Sequence, residues 1–389
     1  MTDDAVWDWR PGGFGLYVHW PFCQAKCPYC DFNSHVSDRI DHPRWQAAFL
    51  QALTHAAHQT AGRRLDSIFF GGGTPSLMAP DTVAALIAMA ARLWTFSPSI
   101  EITLEANPTS VEVAHFRAFA DAGVNRISIG IQSFIDRDLR RLGRKHSAAD
   151  ARAAYDTARA QFNRVSFDLI YARQDQSLAA WRQELAEALA MQVDHLSLYQ
   201  LTIEPGTPFA ARLDRGGLHG LPDIDGSADL YEATQTLCKD AGMPAYEVSN
   251  HALPGQESRH NLVYWNQGDW VGIGPGAHGR LTVGGTRRAT ETWHAPEVWL
   301  AAVARDGHGQ QRDTAIAPEA QFSEALLMGL RLSSGIDLAR YRMGGGDWLD
   351  SENLECLVSE DFLWQCGARI GTTEAGRPVL NHLVAQLLR

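Results

Sequence analysis

The sequence lacks any long hydrophobic run and any excess of positive charge. No stretch approaches the roughly 18 apolar residues of a membrane-spanning helix, and the net charge of the 389 residues is −11. General nucleic-acid binding needs a basic face, so this charge argues against it. The start of the chain is acidic and has neither the basic residues nor the apolar core of a secretion signal. These absences predict a soluble protein.

Cysteine is sparse too, and six residues do not make a disulfide framework. Three of them form a C-x3-C-x2-C run at Cys23, Cys27 and Cys30. Such a loop can hold three irons of a [4Fe–4S] cluster and leave the fourth open to a small molecule. A zinc loop is the alternative, but zinc usually takes further paired ligands. The remaining cysteines are scattered and distant: Cys238, Cys356 and Cys366.

The spacing of the three cysteines, with Tyr29 just before the last of them, resembles the signature of radical S-adenosylmethionine (SAM) enzymes. The resemblance implies that SAM chelates the open iron and that one electron cleaves it to a 5′-deoxyadenosyl radical. The protein's part would be binding, orientation and exclusion of side reactions. Because thiolate ligands need reduced sulfur, we expect the protein in the cytosol.

Short apolar runs alternate with helical patterns in the first half of the chain. The predicted strands are Gly15–Trp20, Ser67–Phe70, Ile100–Leu104, Arg126–Ile131, Val165–Ile170 and His195–Leu201. The predicted helices are Arg44–His58, Asp81–Trp94, Val111–Ala122, Ala148–Gln161 and Leu178–Met191. This alternation predicts an α/β fold, a partial (β/α)6 TIM-like barrel built on a parallel sheet.

A helix is predicted at Ser227–Asp240 and a short strand near Tyr246–Ser249. Beyond them the alternation of strands and helices ends. We therefore expect a radical SAM core over residues 1–285 and a C-terminal domain over 286–389. The predicted parts of that domain are helices at Pro318–Leu332, Leu349–Cys366 and Arg377–Leu388 and a hairpin at Gly367–Thr373. Helices with a hairpin resemble a winged-helix unit. Acidic residues outnumber basic ones there, which favours a structural or partner-docking role over DNA binding.

Polar motifs follow the predicted strands at their C-terminal ends, where barrel active sites are built. They are the cysteine loop, Gly71–Pro75, Glu105–Pro108, Gln132–Phe134 and Asp168. Three successive glycines let a ligand lie against the backbone. A tight turn is the alternative, but a turn rarely needs three glycines, so ligand contact is favoured. The guanidinium group of Arg144 could bind a carboxylate through two parallel hydrogen bonds. Taken singly, each polar side chain is more often a surface residue, so their shared location carries the prediction.

Two further motifs leave alternatives open. Gly274–Gly279 matches G-x-G-x-x-G, but no helix pattern follows, so a loop closing the barrel is the better interpretation. His260 precedes Tyr264 and Trp265, and aromatic residues beside an imidazole suit a macrocycle with an axial ligand. A single histidine is more often structural, and from the residues alone that interpretation is slightly favoured. His278 is the next candidate ligand.

Taken in order, these motifs resemble the oxygen-independent coproporphyrinogen III oxidase family of radical SAM proteins. The resemblance implies that the iron-bound SAM is surrounded by Tyr17, Gly72, Gly73, Thr74 and Glu105. Tyr29 would lie beside these residues. It implies SAM-site contacts for Gln132, Arg144 and Asp168. The chain departs from the family pattern at one place. In the family the run that matches Asp168–Tyr171 is usually followed by Gly-Leu-Pro, whereas here Ala172, Arg173 and Gln174 follow it. This difference predicts a differently shaped loop.

Two sister groups share this pattern. The oxidase has a further cysteine where this chain has Phe32, and an N-terminal extension where only sixteen residues precede Tyr17. Both differences resemble the HemW-type haem chaperones, whose H-N-x-x-Y-W run is present as His260–Trp265 and implies that His260 is a haem ligand. Resemblance to this group implies a carrier protein that binds haem. Its partners would be proteins that donate and accept haem, and these could be located at a membrane surface. The carrier could also form a homodimer. The alternatives are coproporphyrinogen III decarboxylation and a radical enzyme with another substrate.

Overall fold

The computed structural model describes residues 8–37, 39–341 and 348–388, and for residue 111 the backbone alone. In chain order its strands are β1 Phe14–Trp20, β2 Phe22–Cys23, β3 His35–Val36, β4 Arg64–Gly72, β5 Thr95–Ala106, β6 Arg126–Gln132, β7 Arg164–Tyr171, β8 His195–Gln200, β9 Asn250–Ala252, β10 Asp269–Ile273, β11 His278–Val283, β12 Thr286–Thr292, β13 Gln310–Ala315, β14 Ile336–Asp337, β15 Leu363–Cys366 and β16 Arg369–Thr372.

The helices are α1 His42–Gln59, α2 Pro80–Leu93, α3 Ser110–Val113, α4 Phe116–Asp121, α5 Asp136–Arg141, α6 Ala148–Gln161, α7 Leu178–Ala190, α8 Pro208–Asp214, α9 Ile224–Asp240, α10 Arg259–Trp265, α11 Pro296–Asp306, α12 Pro318–Gly329, α13 Ser351–Ser359 and α14 Leu380–Leu387. Short 3₁₀ turns occupy Arg10–Gly12, Pro75–Leu77, Leu338–Arg340 and Arg377–Val379. Among the described residues, no helix is both long enough and apolar enough to cross a bilayer.

One large sheet holds eleven strands in the order β13-β12-β11-β10-β1-β4-β5-β6-β7-β8-β9. The strands from β10 to β8 are parallel, and those beyond them on either side are antiparallel. The prediction of an α/β partial barrel is therefore confirmed. β10, which adds a parallel strand beside β1, was not predicted, and the short strand expected near residue 246 lies a few positions later, at Asn250–Ala252.

The strands alternate between an apolar face and a polar face, as the two-residue period of a strand requires. In β1, Leu16, Val18 and Trp20 are buried in the main core. The Trp20 ring stacks on Phe49 of α1 with centroids 6.2 Å apart. The opposite face of the sheet carries polar groups that bond to one another, such as Ser166 Oγ, which donates to Ser128 Oγ at 2.9 Å. The barrel interior is therefore polar and the helices cover an apolar exterior.

The C-terminal part has a core of its own, made by α12, α13, α14 and the three-stranded sheet β14-β16-β15. The predicted hairpin is present as β15 and β16. The predicted helix over Leu349–Cys366 is shorter, because its last residues form β15 instead. The boundary expected at residues 285 and 286 falls between β11 and β12, which pair as a hairpin of the large sheet. We therefore propose that the boundary lies between β13 and α12.

Candidate functional site

The cysteine loop leaves the sheet where β1 ends. Cys23 is the last residue of β2, which pairs with β3 on the far side of the loop. Cys30 N donates to Cys27 O at 3.1 Å, and the three thiols are half-buried and unpaired. Burial raises the pKa of the Cys23 and Cys30 thiols. These thiols therefore stay protonated until a metal displaces the proton.

The arrangement of these cysteines bears on the choice between zinc and an iron–sulfur cluster. Within the described residues, no three His, Cys, Asp or Glu side chains are arranged to hold a single metal ion. Zinc needs about four ligands around one point. In a [4Fe–4S] cluster each thiolate binds a different iron, so the sulfurs need not converge. The C-x3-C-x2-C spacing supplies one thiolate for each of three irons, which is what such a cluster needs.

Two of the cysteines are joined by a chain of hydrogen bonds. Thr74 Oγ1 donates to Cys23 Sγ at 3.3 Å, and Asn107 Nδ2 donates to Thr74 Oγ1 at 3.2 Å. Arg144 Nη2 donates to Asn107 Oδ1 at 2.5 Å, and its Nη1 to Cys27 Sγ at 3.5 Å. Donors aimed at sulfur stabilise a thiolate and tune the metal that it binds. Asn107 belongs to the predicted polar motif Glu105–Pro108, but it was not itself predicted to contact the cofactors.

The loop is also held by packing from two neighbouring segments. Phe209 N, in α8, donates to Pro28 O at 2.9 Å. Gly143 has a φ of +70°, and a Cβ there would lie 2.6 Å from Pro28 Cδ. Tyr29 lies beside Cys27 and Arg144, and burial raises the pKa of its hydroxyl above the ordinary range. Tyr29 is thus part of the wall of the cysteine loop.

The glycines at the end of β4 first make room for the protein itself. A Cβ on Gly73 would lie 2.7 Å from Phe22 O, and one on Gly72, where φ is +109°, would lie 2.7 Å from the His19 ring. Gly73 N donates to Trp20 O at 2.7 Å. The close approach that glycine permits here fixes the backbone beside Cys23. A cleft of about 700 Å³ is lined by Cys23, Gln24 and Leu77 among others.

Two buried carboxyl groups lie on β5 and β7, Glu105 near the end of its strand and Asp168 within its own, and they are close enough to interact electrostatically. Burial and then the Asp168 carboxylate raise the pKa of Glu105 to about 8. Burial raises the pKa of Asp168 to about 6, while Ser197, Arg126 and Arg144 act in the opposite direction. The pair therefore retains a proton near neutral pH. An added cation, such as an ammonium or a sulfonium group, would favour the ionised forms.

Tyr17 joins this interior to the exit of the cysteine loop. The Nε2 atom of His19 lies 2.9 Å from Asn33 O, and a carbonyl can only accept, so Nε2 carries the proton. Nδ1 of His19 is then the acceptor for the Tyr17 hydroxyl, 3.0 Å away. Burial lowers the pKa of His19 to about 4, which keeps this tautomer neutral. Asn33 Nδ2 in turn donates to Pro275 O at 2.9 Å.

Gln132 has a strained backbone and an unused acceptor. Its φ is +72°, a region that residues other than glycine rarely adopt. Its Oε1 is buried and has no hydrogen-bond partner among the described residues. Arg173, from the loop that departs from the family pattern, is buried and donates to Ile170 O at 2.6 Å and to Gln132 O at 3.4 Å. A buried acceptor without a donor fits a site built for a polar ligand.

His260 is enclosed rather than exposed. It lies on α10 with 1% of its surface accessible. Its Nδ1 is 2.8 Å from Ser67 Oγ, its Nε2 is 2.5 Å from the Tyr264 hydroxyl, and its ring stacks on Phe69 with centroids 5.0 Å apart. Burial lowers its pKa to about 3. These contacts support the structural interpretation in this conformation, and haem ligation by His260 stays a prediction.

The structure thus brings most of the predicted residues together at one end of the barrel. Those that lie around the cysteine loop or just below it are Tyr17, Tyr29, Gly72, Gly73, Thr74, Glu105, Gln132, Arg144 and Asp168. The donor set of three thiols with two carboxyls and an unused amide oxygen fits a cluster and a polar, cationic small molecule. His260 lies deeper, beneath Tyr17.

Comparison with known proteins agrees with this geometry. The model of the radical SAM superfamily matches residues 17–183. The chain is 37% identical to the heme chaperone HemW of Escherichia coli over 379 residues, which cover 96% of this chain and 97% of that protein. It is 42% identical to the mitochondrial radical S-adenosyl methionine domain-containing protein 1 of Mus musculus over 326 residues, 82% of this chain and 74% of that protein.

Among solved structures, the coproporphyrinogen III oxidase HemN from Escherichia coli superposes with a TM-score of 0.80 at 21% identity. The match covers 96% of this chain and 89% of that one. At this identity the likeness shows a shared fold. The identity to HemW over almost the full length is the stronger finding. The chain therefore belongs to the radical SAM superfamily and, within it, to the family of the heme chaperones HemW.

Proposed function

We propose that this protein is a haem chaperone that holds a [4Fe–4S] cluster and SAM, binds haem and delivers it to respiratory haemoproteins. The observation that carries the proposal is the similarity to heme chaperones named HemW along nearly the whole chain. The hydrogen-bonded cysteine loop supports the cofactor part of the proposal, because its sulfurs already have donors from Thr74 and Arg144.

In this proposal Cys23, Cys27 and Cys30 ligate three irons of the cluster. When bound, the cluster and SAM supply one-electron chemistry. The chain's own groups would bind SAM: Glu105 and Asp168 offer carboxyl oxygens for its cationic groups, and Gln132 offers a buried amide oxygen. The Tyr17 hydroxyl, fixed by its hydrogen bond to His19, would line the same space.

Binding of haem and its delivery are the functional core of the proposal. The partners would be proteins that donate and accept haem, with the membrane surface as one place of encounter, and the protein would work in the cytoplasm. A homodimer is compatible with this function. Nucleic acid is not a proposed partner, since the net charge is −11.

Decarboxylation of coproporphyrinogen III is the competing function. Phe32 stands where the oxidase group has a further cysteine, and the residue is 57% exposed. No contact among the described residues favours the oxidase over the carrier, so we keep that activity as an outcome of the tests.

The experiment that tests the proposal is a haem titration of the anaerobically reconstituted protein, with and without SAM, followed by gel filtration. We expect one haem to stay with each chain and the cluster to remain intact. Haem that leaves the protein completely during filtration would refute the chaperone function. A Cys27→Ser variant serves as a control for any contribution of the cluster to haem retention.

A further inference from the structure

His260, the predicted haem ligand, is engaged at both ring nitrogens. Its Nδ1 lies 2.8 Å from Ser67 Oγ, and its Nε2 lies 2.5 Å from the Tyr264 hydroxyl. The ring stacks on Phe69 with centroids 5.0 Å apart, and a Cβ on Gly15 would lie only 3.2 Å from it. These neighbours restrict rotation of the imidazole. An iron that binds this histidine must therefore displace one of the two hydroxyl groups.

Ser67 is the partner that the fold holds in place. It lies within β4, where it pairs with Gly15 of β1 and with Glu101 of β5, and it is fully buried. A histidine that binds a metal almost always donates its second ring N–H to a partner that fixes its orientation. A serine hydroxyl in the middle of a sheet meets this requirement. Ser67 therefore fits the role of a residue that positions His260.

Tyr264 is the partner that can leave. It lies four residues after His260 on α10, so the two side chains are neighbours on one face of the helix. Tyr264 is half-buried, whereas His260 is 1% exposed, which makes the tyrosine the more accessible of the two. Its side chain can change rotamer without breaking a strand pairing. The nitrogen that Tyr264 covers, Nε2, is therefore the one that can become available to iron.

The positions of the protons follow from the acidity of the two hydroxyl groups. A phenol is a stronger donor than an aliphatic hydroxyl, so Tyr264 donates to Nε2 of His260. Nδ1 then carries the ring proton and donates to Ser67 Oγ. Burial, and then Glu105, raise the pKa of the Tyr264 phenol, which keeps its proton, and burial lowers the pKa of His260 to about 3. The lone pair of Nε2 is thus occupied by the phenol.

We propose that the Tyr264 hydroxyl is a cap on the haem ligand His260, that haem displaces this cap from Nε2, and that Ser67 remains on Nδ1 and positions the ring. This inference rests on the proposed chaperone function and adds to it how the ligand is closed before haem arrives. A ligand that is open for a fraction of the time binds with an affinity reduced by that fraction. The cap therefore weakens haem binding, which suits a carrier that has to release its cargo.

The test compares Tyr264→Phe with Ser67→Ala in the full, anaerobically reconstituted protein. Phenylalanine removes the cap but keeps the ring, which packs on Trp270 with centroids 4.6 Å apart. Each variant is titrated with ferric haem. The measured quantities are haem affinity, the association rate, the reduction potential of the bound haem, cluster content and the melting temperature.

Two control variants each remove a buried hydroxyl that bonds elsewhere. In Tyr155→Phe the lost hydroxyl donates to Met191 O at 3.0 Å, and in Ser166→Ala the lost hydroxyl donates to Ser128 Oγ at 2.9 Å. Both should bind haem as the wild type does. They show what the loss of a buried hydroxyl alone does to stability.

The two test variants should change haem binding in opposite directions. Tyr264→Phe should bind haem faster and roughly 2- to 10-fold more tightly, since a neutral hydrogen bond changes an equilibrium by about that factor. Ser67→Ala should weaken haem affinity roughly 10- to 100-fold, as the loss of a group that orients a metal ligand does. Its reduction potential should rise, because an imidazole without an acceptor at Nδ1 is a weaker donor to ferric iron. A serine with a structural role alone would lower the melting temperature and leave the potential unchanged.

A haem-free measurement separates the cap from the proposed function. In histidine labelled with nitrogen-15, the resonances of His260 are identified by their loss in His260→Gln. The Nε2 resonance should move in Tyr264→Phe and stay in Tyr155→Phe. An Nε2 resonance that does not move in Tyr264→Phe would refute the cap whether or not haem binds.

Unchanged or weaker haem binding by Tyr264→Phe would overturn the inference, and this result decides alone if Ser67→Ala does not fold. Wild-type affinity and potential in Ser67→Ala would refute the positioning role. A wild-type protein that retains no haem refutes the proposed function itself. Retained haem without a gain in Tyr264→Phe refutes only the cap.

Discussion

Replacing Arg173 by methionine tests whether the loop that departs from the family pattern is held by a buried ion cluster. The Arg173 side chain is 3% exposed and pairs with Glu184 and, at 3.3 Å, with Asp138. Glu184 Oε1 also accepts hydrogen bonds from Ser133 Oγ at 2.7 Å and from Phe134 N at 2.8 Å. Arg173 therefore neutralises a carboxylate that fixes the turn after Gln132.

The expected cost follows from the burial of the two carboxylates. Removing one partner of a buried ion pair lowers the free energy of unfolding by about 3–5 kcal/mol, because the remaining charge is uncompensated. The neighbouring pair Arg141–Asp175 is a matched control, with an N–O distance of 2.8 Å and side chains 35% and 56% exposed. An exposed pair contributes about 0–1 kcal/mol. Arg173→Met should therefore be the more damaging change by several-fold.

Urea unfolding of the cluster-free protein, followed by tryptophan fluorescence, measures both variants under the same conditions. A second readout is SAM affinity of the reconstituted protein, which should weaken in Arg173→Met because the Gln132 turn loses its support. Arg173→Lys should fall between the wild type and the methionine variant. If Arg173→Met costs no more than Arg141→Met, the ion cluster does not stabilise this loop and the reasoning fails.

Three further predictions concern the rest of the site. Cys27→Ser should lose cluster iron and sulfide while Cys356→Ser retains both, and a cluster that survives in Cys27→Ser would refute the ligand assignment. Gly73→Ala should force the backbone at Phe22 to shift and reduce cluster content, since its Cβ would meet a carbonyl oxygen at 2.7 Å; normal reconstitution would contradict this. The pKa of Glu105 is about 8 in the folded protein, against an ordinary value of 4.5. At a pH between these two values, Glu105 therefore takes up a proton when the protein folds. The free energy of unfolding should fall as pH rises from about 5 to 8, and an equally steep fall in Glu105→Gln would contradict the assignment.

Much of the barrel could be predicted because its strands are long and apolar on their outward face. Ala148–Gln161 has the bounds predicted from its helical period. The segment Asp269–Ile273 was missed since five residues with an aspartate and a glycine show no clear alternation. Its place in the sheet depends on pairing with β1, more than 250 residues away. Such pairing leaves no local signal.

The candidate site was predictable to the extent that its chemistry lies in contiguous motifs. The three cysteines and the glycines of β4 are of this kind. Asn107 was missed as a functional residue because its role depends on contacts with Thr74, 33 positions earlier, and with Arg144, 37 positions later. The engagement of His260 by Ser67 spans 193 positions. Only the folded structure shows whether a histidine nitrogen is free.

One measurement tests the carrier function most directly. The reconstituted, reduced protein is loaded with SAM and divided, and one half receives haem while the other receives coproporphyrinogen III. We expect haem to be retained at about one per chain, whereas chromatography should find no protoporphyrinogen IX above the level of the Cys27→Ser control. Catalytic formation of protoporphyrinogen IX, or failure of the same preparation to retain haem, would contradict the assignment of a haem chaperone.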